Sequence, residues 1–254
     1  MRLPVYAAFV FVLGLVVGSF LNVVAYRLPR HQSLAFPPSH CPDCGARLRP
    51  ADLVPVFSWL ALRGRCRYCG RPISPRYPVV ESITGLLFLL VFVARGPGLG
   101  LVPGFVLAAL MVAVAAIDLD LRIIPNPLTL CGVVAGLAFG LLGWSGVGLW
   151  QALMGLVVCG GFLLVVGLAG RGGMGGGDVK LGAVIGAFLG WSTGLFGILL
   201  GFVIGAVVGL GLIVTGIRGR KDAIPFGPFL ALGAVFSYLW GGRIVAAYLN
   251  LFVR

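Results

Sequence analysis

The chain of 254 residues carries only seven acids: Asp43, Asp52, Glu81, Asp118, Asp120, Asp178 and Asp222. Two of them stand in surroundings suited to chemistry. Asp118 closes an apolar run in Ala115-Ala116-Ile117-Asp118-Leu119-Asp120-Leu121-Arg122. Asp178 follows the segment Gly172-Gly173-Met174-Gly175-Gly176-Gly177 and opens another apolar run, with Lys180 close behind. Ionisable groups at membrane depth are costly, which makes each a functional candidate. Taken singly, both have a plain structural reading. Asp178 is then a helix N-cap, and Asp118 an interfacial acid paired with Arg122 four residues on. Taken together they suggest amide hydrolysis. Two carboxylates sharing a site do not both ionise easily. The ionised one takes a proton from water while the neutral one donates to the carbonyl oxygen. Helix dipoles favour Asp178 as base and Asp118 as acid, an order that Arg122 can reverse. Asp120 is second choice for the pair. Glycines before Asp178 allow positive φ and close approach of another helix or a substrate. The run is neither a phosphate loop nor a dinucleotide fingerprint, since no Gly-Lys-Ser/Thr follows and no soluble strand–turn–helix unit surrounds it.

A second constellation is Cys41-Pro42-Asp43-Cys44 and Cys66-Arg67-Tyr68-Cys69, two C-x-x-C pairs separated by 21 residues. Gly45 and Gly70 follow them, as tight knuckle turns require. Four thiolates at this spacing suit tetrahedral Zn²⁺ with no open position, hence a structural metal. The plain alternatives are free thiols or two disulfides, and a reducing cytosolic side disfavours the disulfides. Cys131 and Cys159 fall inside apolar stretches and read as packing residues.

The elements that must position these groups follow from composition. The chain is 59% apolar and 10% charged, far from the roughly one-quarter charged of a soluble domain. It describes an all-α polytopic membrane protein. Spans fall near 4–26, 78–94, 101–117, 127–143, 149–169 and 228–247, and the uncharged stretch 181–217 folds back at Gly190-Trp191-Ser192-Thr193-Gly194. That makes about eight transmembrane helices. Residues 27–77 interrupt them as a small zinc-ribbon-like insertion between the first and second. The domains are therefore a first helix (1–26), a basic four-cysteine insertion (27–77) and a helical membrane domain (78–254). Fifteen of the 19 Lys and Arg fall on the insertion side, nine of them in 27–77. The positive-inside rule makes that side cytosolic and places both acids at cytosolic helix ends. Arginines at that face suit anionic lipid better than nucleic acid, so no nucleic-acid partner is expected. Asn126 and Pro127 are placed to cap and begin the helix after Asp118. Glu81 either orients an amine or donor, or pairs with Arg76. Lys180 either steers substrate or reaches for headgroups.

These residues resemble those of the type IV prepilin peptidases. The resemblance runs through Gly18-Ser19-Phe20-Leu21-Asn22-Val23-Val24-Ala25-Tyr26-Arg27-Leu28-Pro29, the paired C-x-x-C motifs and Pro75-Arg76-Tyr77-Pro78-Val79-Val80-Glu81. It continues through the segment from Asp118 to Asn126, Gly175-Gly176-Gly177-Asp178-Val179-Lys180-Leu181 and Pro225-Phe226-Gly227-Pro228-Phe229. It implies a membrane aspartic endopeptidase of the bacterial inner membrane, with Asp118 and Asp178 as the catalytic pair. The implied substrates are type IV prepilins and pseudopilins, cut after the glycine that ends a short basic leader. S-adenosylmethionine then methylates the new N-terminal amine. No residue is assigned to the methyl donor. Two other readings compete: a glycine-interrupted helical transporter with functional intramembrane acids, and a zinc-dependent interaction module on an inert membrane anchor.

Overall fold

The structure is a computed structural model and describes residues 3–170, 174–219, 222 and 224–252. Arg2, Arg171, Gly172, Gly173, Arg220, Lys221 and Arg254, all used in the sequence reading, lie outside the described residues. The described residues hold helices and isolated β-bridges but no strand. Among the described residues, six helical stretches are long and apolar enough to cross a membrane: Leu3–Arg30, Arg76–Arg95, Leu101–Leu121, Leu149–Ala169, Trp191–Val214 and Gly227–Leu251. Two shorter ones, Asn126–Leu142 and Gly176–Leu189, complete the expected order. The protein is a multi-pass membrane protein.

The chain divides into two compact units, 1–96 and 97–254. In the first, α1 (Leu3–Arg27) and α3 (Arg76–Arg95) pack side by side, with Gly14 facing Gly85 and Gly18 facing Glu81. A Cβ on Gly18 would stand 2.7 Å from the Glu81 Cα. The small residue lets the backbones approach, which is what drives helix association where lipid removes the hydrophobic incentive. Between these helices lies the insertion, with a 3₁₀ turn at Pro50–Asp52 and the short α2 (Phe57–Ala61).

The second unit holds α4 (Leu101–Leu121), α5 (Asn126–Leu142), α6 (Leu149–Ala169), α7 (Gly176–Leu189), α8 (Trp191–Val214), α9 (Gly227–Phe236) and α10 (Gly242–Phe252). A π-helical segment, Ser237–Gly241, joins the last two. Ser237 there donates to the Thr193 carbonyl at 2.6 Å, and the Tyr238 hydroxyl to the Gly100 carbonyl at 3.1 Å. The 14-residue α7 packs against α5, α6, α8 and α9, and all of Leu181, Gly182 and Val184 to Leu189 is buried. A helix enclosed by neighbours needs no polar face. Its closest neighbour is α6, where Gly155 meets Gly186 backbone to backbone.

Several sequence expectations need adjustment. The turn after α7 is the single residue Gly190, at φ 74°, so α8 begins at Trp191 rather than beyond Gly194. Cys131 is exposed on α5 and is not a packing residue; Cys159 is buried as expected. Asn126 does not cap α5: it is the first helical residue, behind Pro125.

Candidate active site and metal centre

Helix α4 runs one turn past Asp118 to Leu121, and Arg122 ends it in the left-handed conformation with its N–H on the Asp118 carbonyl at 2.9 Å. Asp118 therefore sits in the last turn, where its side chain is buried. Its Oδ2 accepts the Gly227 N–H at 2.8 Å, across 109 residues of sequence. Gly227 is the first residue of α9, and its N–H is one that no carbonyl within its own helix can reach. Arg122, the partner expected from the sequence, stays within Coulombic range of the same carboxylate. A Cβ at Gly227 would stand 2.8 Å from Asp118 Oδ2 and 3.1 Å from Cγ. A side chain at Gly227 would have to displace the carboxylate.

Asp178 is the third residue of α7. Its N–H donates to the Gly175 carbonyl at 3.0 Å, and its Oδ2 accepts the Gly175 N–H at 3.2 Å. Asp178 is therefore not the N-cap, which is Gly175, but it still caps the helix start from the third position by accepting the Gly175 N–H. That role does not exhaust the residue, because the Asp118 carboxylate lies within Coulombic range. Gly177 seats the first turn of α7 against Ile124, whose Cβ a side chain at Gly177 would meet at 2.9 Å. Lys180 adds a second tie, its Nζ donating to Asn126 Oδ1 at 2.7 Å. The linker that follows Asp118 is thereby pinned to the helix that carries Asp178. Lys180 is engaged in that link rather than reaching alone for headgroups. Gly175 has φ −71°, and Gly176 and Gly177 are helical. Among the described residues the glycine run therefore works by close approach, not by positive φ. Asp120 is exposed on α4 and is not buried beside Asp118.

Sequence reasoning assigned no role to Gly227. A glycine followed by proline at a helix start was the available signal, because Pro228 takes the second helical position and frees the first for contact.

In the insertion, Cys41, Cys44, Cys66 and Cys69 bring their four Sγ atoms within 4.8 Å of one another. Cys41 and Cys69 Sγ are 3.9 Å apart. Tetrahedral thiolates at a Zn–S bond of about 2.3 Å stand roughly 3.8 Å apart, so the donor set fits zinc. Both knuckles have the same backbone. Cys41 and Cys66 donate to the carbonyls of Ala46 and Arg71 at 3.0 and 2.8 Å, and Gly45 and Gly70 turn at φ 69° and 70°. The backbone N–H groups of Cys69 and Tyr68 hold the Cys66 thiol down to about 7. No disulfide joins any cysteine. Asp52 accepts from Arg67 at 2.6 Å and from the Tyr68 hydroxyl at 3.2 Å, tying the 3₁₀ turn to the second knuckle.

Glu81 is buried, and it reaches into the insertion and across to α1. Its Oε2 accepts the Val56 N–H at 2.7 Å, and the Ser19 hydroxyl donates to the same carboxylate. Several of the insertion arginines are engaged within the fold. Arg27 donates to the Ser33 and Pro37 carbonyls, Arg30 to the Tyr26 carbonyl, and Arg67 to Asp52.

Comparison with known proteins decides the family. Residues 12–95 match the bacterial peptidase A24 N-terminal domain, and residues 105–210 match the type IV leader peptidase family. The chain belongs to the type IV leader peptidase family. It is 38% identical to the prepilin leader peptidase/N-methyltransferase of Aeromonas hydrophila, over 98% of this chain and 95% of that one. It is 48% identical to the protein of that name in Myxococcus xanthus, over 86% of this chain and 67% of the relative. The Bacillus subtilis protein of the same name is 35% identical, over 95% of this chain and 97% of its own length. No solved structure matches the chain. The two family matches coincide with the two compact units, the first carrying the cysteine knuckles and the second Asp118 and Asp178. This leader peptidase family member is thus a membrane peptidase.

Proposed function

We propose that the protein removes the short basic leader from type IV prepilins and pseudopilins and then N-methylates the new N-terminus. The cut falls after the leader's final glycine, at the cytosolic face of the bacterial inner membrane. Asp118 and Asp178 form the catalytic pair. One observation carries this reading: two acids sixty residues apart in sequence come within electrostatic range, one in the last turn of α4 and one in the first turn of α7.

The pair shares one proton, because two adjacent carboxylates are not both ionised without large repulsion. The ionised member takes a proton from water, whose oxygen attacks the scissile carbonyl carbon. The neutral member gives its proton to the carbonyl oxygen. When the tetrahedral intermediate collapses, the C–N bond breaks. The leaving amine takes up the proton that came from water, and the carbonyl returns the other to the dyad. Each carboxylate accepts one backbone N–H from a helix start, Asp118 from Gly227 and Asp178 from Gly175. The dipole argument for Asp178 as base loses its asymmetry, since α9 presents its positive end to Asp118. Gly227 thus acts as a positioning residue that fixes the Asp118 carboxylate.

The four cysteines hold a structural zinc that orders the insertion. Methyl transfer uses S-adenosylmethionine as co-substrate: the unprotonated N-terminal amine attacks the methyl carbon as the C–S bond breaks. Anionic lipid at the cytosolic face meets the basic insertion.

The test uses the purified full chain in lipid, a prepilin and isotopically labelled S-adenosylmethionine, with mass spectrometry of the product. The expected product lacks its leader and carries one labelled methyl on its new N-terminus. An intact leader after prolonged incubation rejects the peptidase reading, and a cleaved but unlabelled product rejects the transferase half alone.

A further inference from the structure

The insertion is polar at both ends but not in the middle. Residues 53–62 read Leu-Val-Pro-Val-Phe-Ser-Trp-Leu-Ala-Leu, ten positions without a charge. Trp59 turns inward, its Nε1 donating to the Ile73 carbonyl at 3.0 Å. Leu53, Val54, Phe57 and Leu60 turn outward, and Phe57 and Leu60 are 66% and 58% exposed. Exposed apolar side chains gathered on one short segment mark an interaction surface.

The depth of that segment is set by Glu81. Val56 donates its N–H to Glu81 Oε2 at 2.7 Å. Glu81 lies five residues inside α3, counted from Arg76, or about 7–8 Å along the axis at roughly 1.5 Å per residue. Its other partner, Ser19, lies eight residues inside α1, counted back from Arg27, or about 12 Å on the same scale. Both helices therefore rise past Val56 before the insertion reaches its polar knuckles. The backbone here is arranged for a place with little water. Val56 forms a γ-turn at φ 63°, ψ −51°, a conformation that a β-branched residue adopts only under constraint, with the Phe57 N–H on the Pro55 carbonyl at 2.6 Å. Ser58 and Leu60 donate to the Val54 and Val56 carbonyls, and Pro55 has no N–H to satisfy. Irregular backbone is tolerated near hydrocarbon only when its polar groups are paired, and the Glu81 carboxylate supplies the partner that Val56 lacks.

We propose that residues 53–60 form a re-entrant foot that seats Phe57 and Leu60 in the acyl-chain boundary of the bilayer, with Glu81 as the tether that fixes its depth. Arg63 and Arg65 follow directly and suit the anionic headgroups above it. The foot anchors the zinc knuckles at the membrane surface. This inference rests on α1 and α3 crossing the membrane and is independent of the peptidase reading.

The experiment places the photoreactive amino acid p-benzoylphenylalanine at Phe57, Leu60, Leu86 or Arg47, one at a time, in the full chain. Each protein is reconstituted in vesicles of phosphatidylethanolamine and phosphatidylglycerol, irradiated and analysed by mass spectrometry. Leu86, exposed midway along α3, reports the lipid-facing yield, and Arg47, exposed on the first knuckle, reports the aqueous yield. The expected acyl-chain adducts at Phe57 and Leu60 match Leu86 and exceed Arg47 several-fold. A yield nearer that of Arg47, or adducts to peptides from 97–254 in place of lipid, overturns the proposal. Glu81→Leu should drop lipid labelling at Phe57 toward the Arg47 level, while Glu81→Gln, which keeps a carbonyl acceptor for Val56, should preserve it. Equal labelling in both variants removes Glu81 as the tether.

Discussion

The two compact units build their sites in opposite ways. The four thiols come from two short knuckles with near-identical backbone, each closed by its own glycine turn within the span from Cys41 to Gly70. The carboxylate pair takes one residue from the end of α4, one from the start of α7 and a backbone N–H from the start of α9. A knuckle is local, so its geometry is written into adjacent residues. The acid pair exists only if the helices of the second unit pack in one arrangement. The first kind of site is expected to fail by losing its metal, the second by a misplacement of an ångström or so.

That contrast can be broken most severely at the acids. Asp118→Asn or Asp178→Asn should each lower leader cleavage by about 10³-fold or more, the scale of removing a general acid or base. Zinc content and helical circular dichroism should stay unchanged. Cleavage within a few-fold of the parent in either variant would falsify the dyad.

Gly227→Ala sharpens the same point without touching a carboxylate. Its methyl would meet Asp118 Oδ2 at 2.8 Å, and displacement of that carboxylate should cost about 10²-fold in turnover, as expected for an ångström of misplacement. The effect should appear in kcat more than in KM, with the metal retained. Unaltered kcat would mean that Asp118 does not depend on α9.

Cys41→Ser tests the local site. Zinc measured by atomic emission should fall toward zero, and proteolysis within residues 27–77 should accelerate. Leader cleavage should fall much less than in the aspartate variants. Full metal retention would contradict the four-thiolate centre.

The smallest effect is expected at the Asp52–Arg67 pair. The Arg67 guanidinium holds the Asp52 carboxyl below its usual range. A lowered carboxylate pKa gives stability that is complete above the unfolded value near 4 and is lost as the pH falls through the lower folded value. The pair's share of the insertion's protease resistance should therefore be flat from neutral pH to about 5 and be lost only below about 4, apart from any loss through protonation of the zinc thiolates. Asp52→Asn should flatten that acid decline while slightly raising susceptibility at neutral pH. An unchanged acid decline in the variant would remove the pair as its cause.

Sequence legibility followed the same division. Apolar runs long enough to span, the glycine turns near residues 143 and 190, and the cysteine spacing were readable, because helix length and knuckle geometry depend on neighbours in the chain. Asp178 was readable as a helix-start residue for the same reason. The roles of Gly227 and Glu81 were not, because each makes its decisive contact with a residue distant in sequence. The apolar middle of the insertion was hidden by the nine arginines around it, which made the whole segment look polar.

The chain by itself determined that this is a helical membrane protein with a four-cysteine insertion and two acids at helix ends. It determined this because hydrophobic length, charge asymmetry and ligand spacing act over a few turns of backbone. Tertiary structure alone decided that Asp118 comes within Coulombic range of Asp178, that the start of α9 supplies the N–H holding Asp118, and that Glu81 takes hold of Val56. Those contacts depend on which small residues let which helices approach, and close approach is a property of the packed bundle rather than of any one segment.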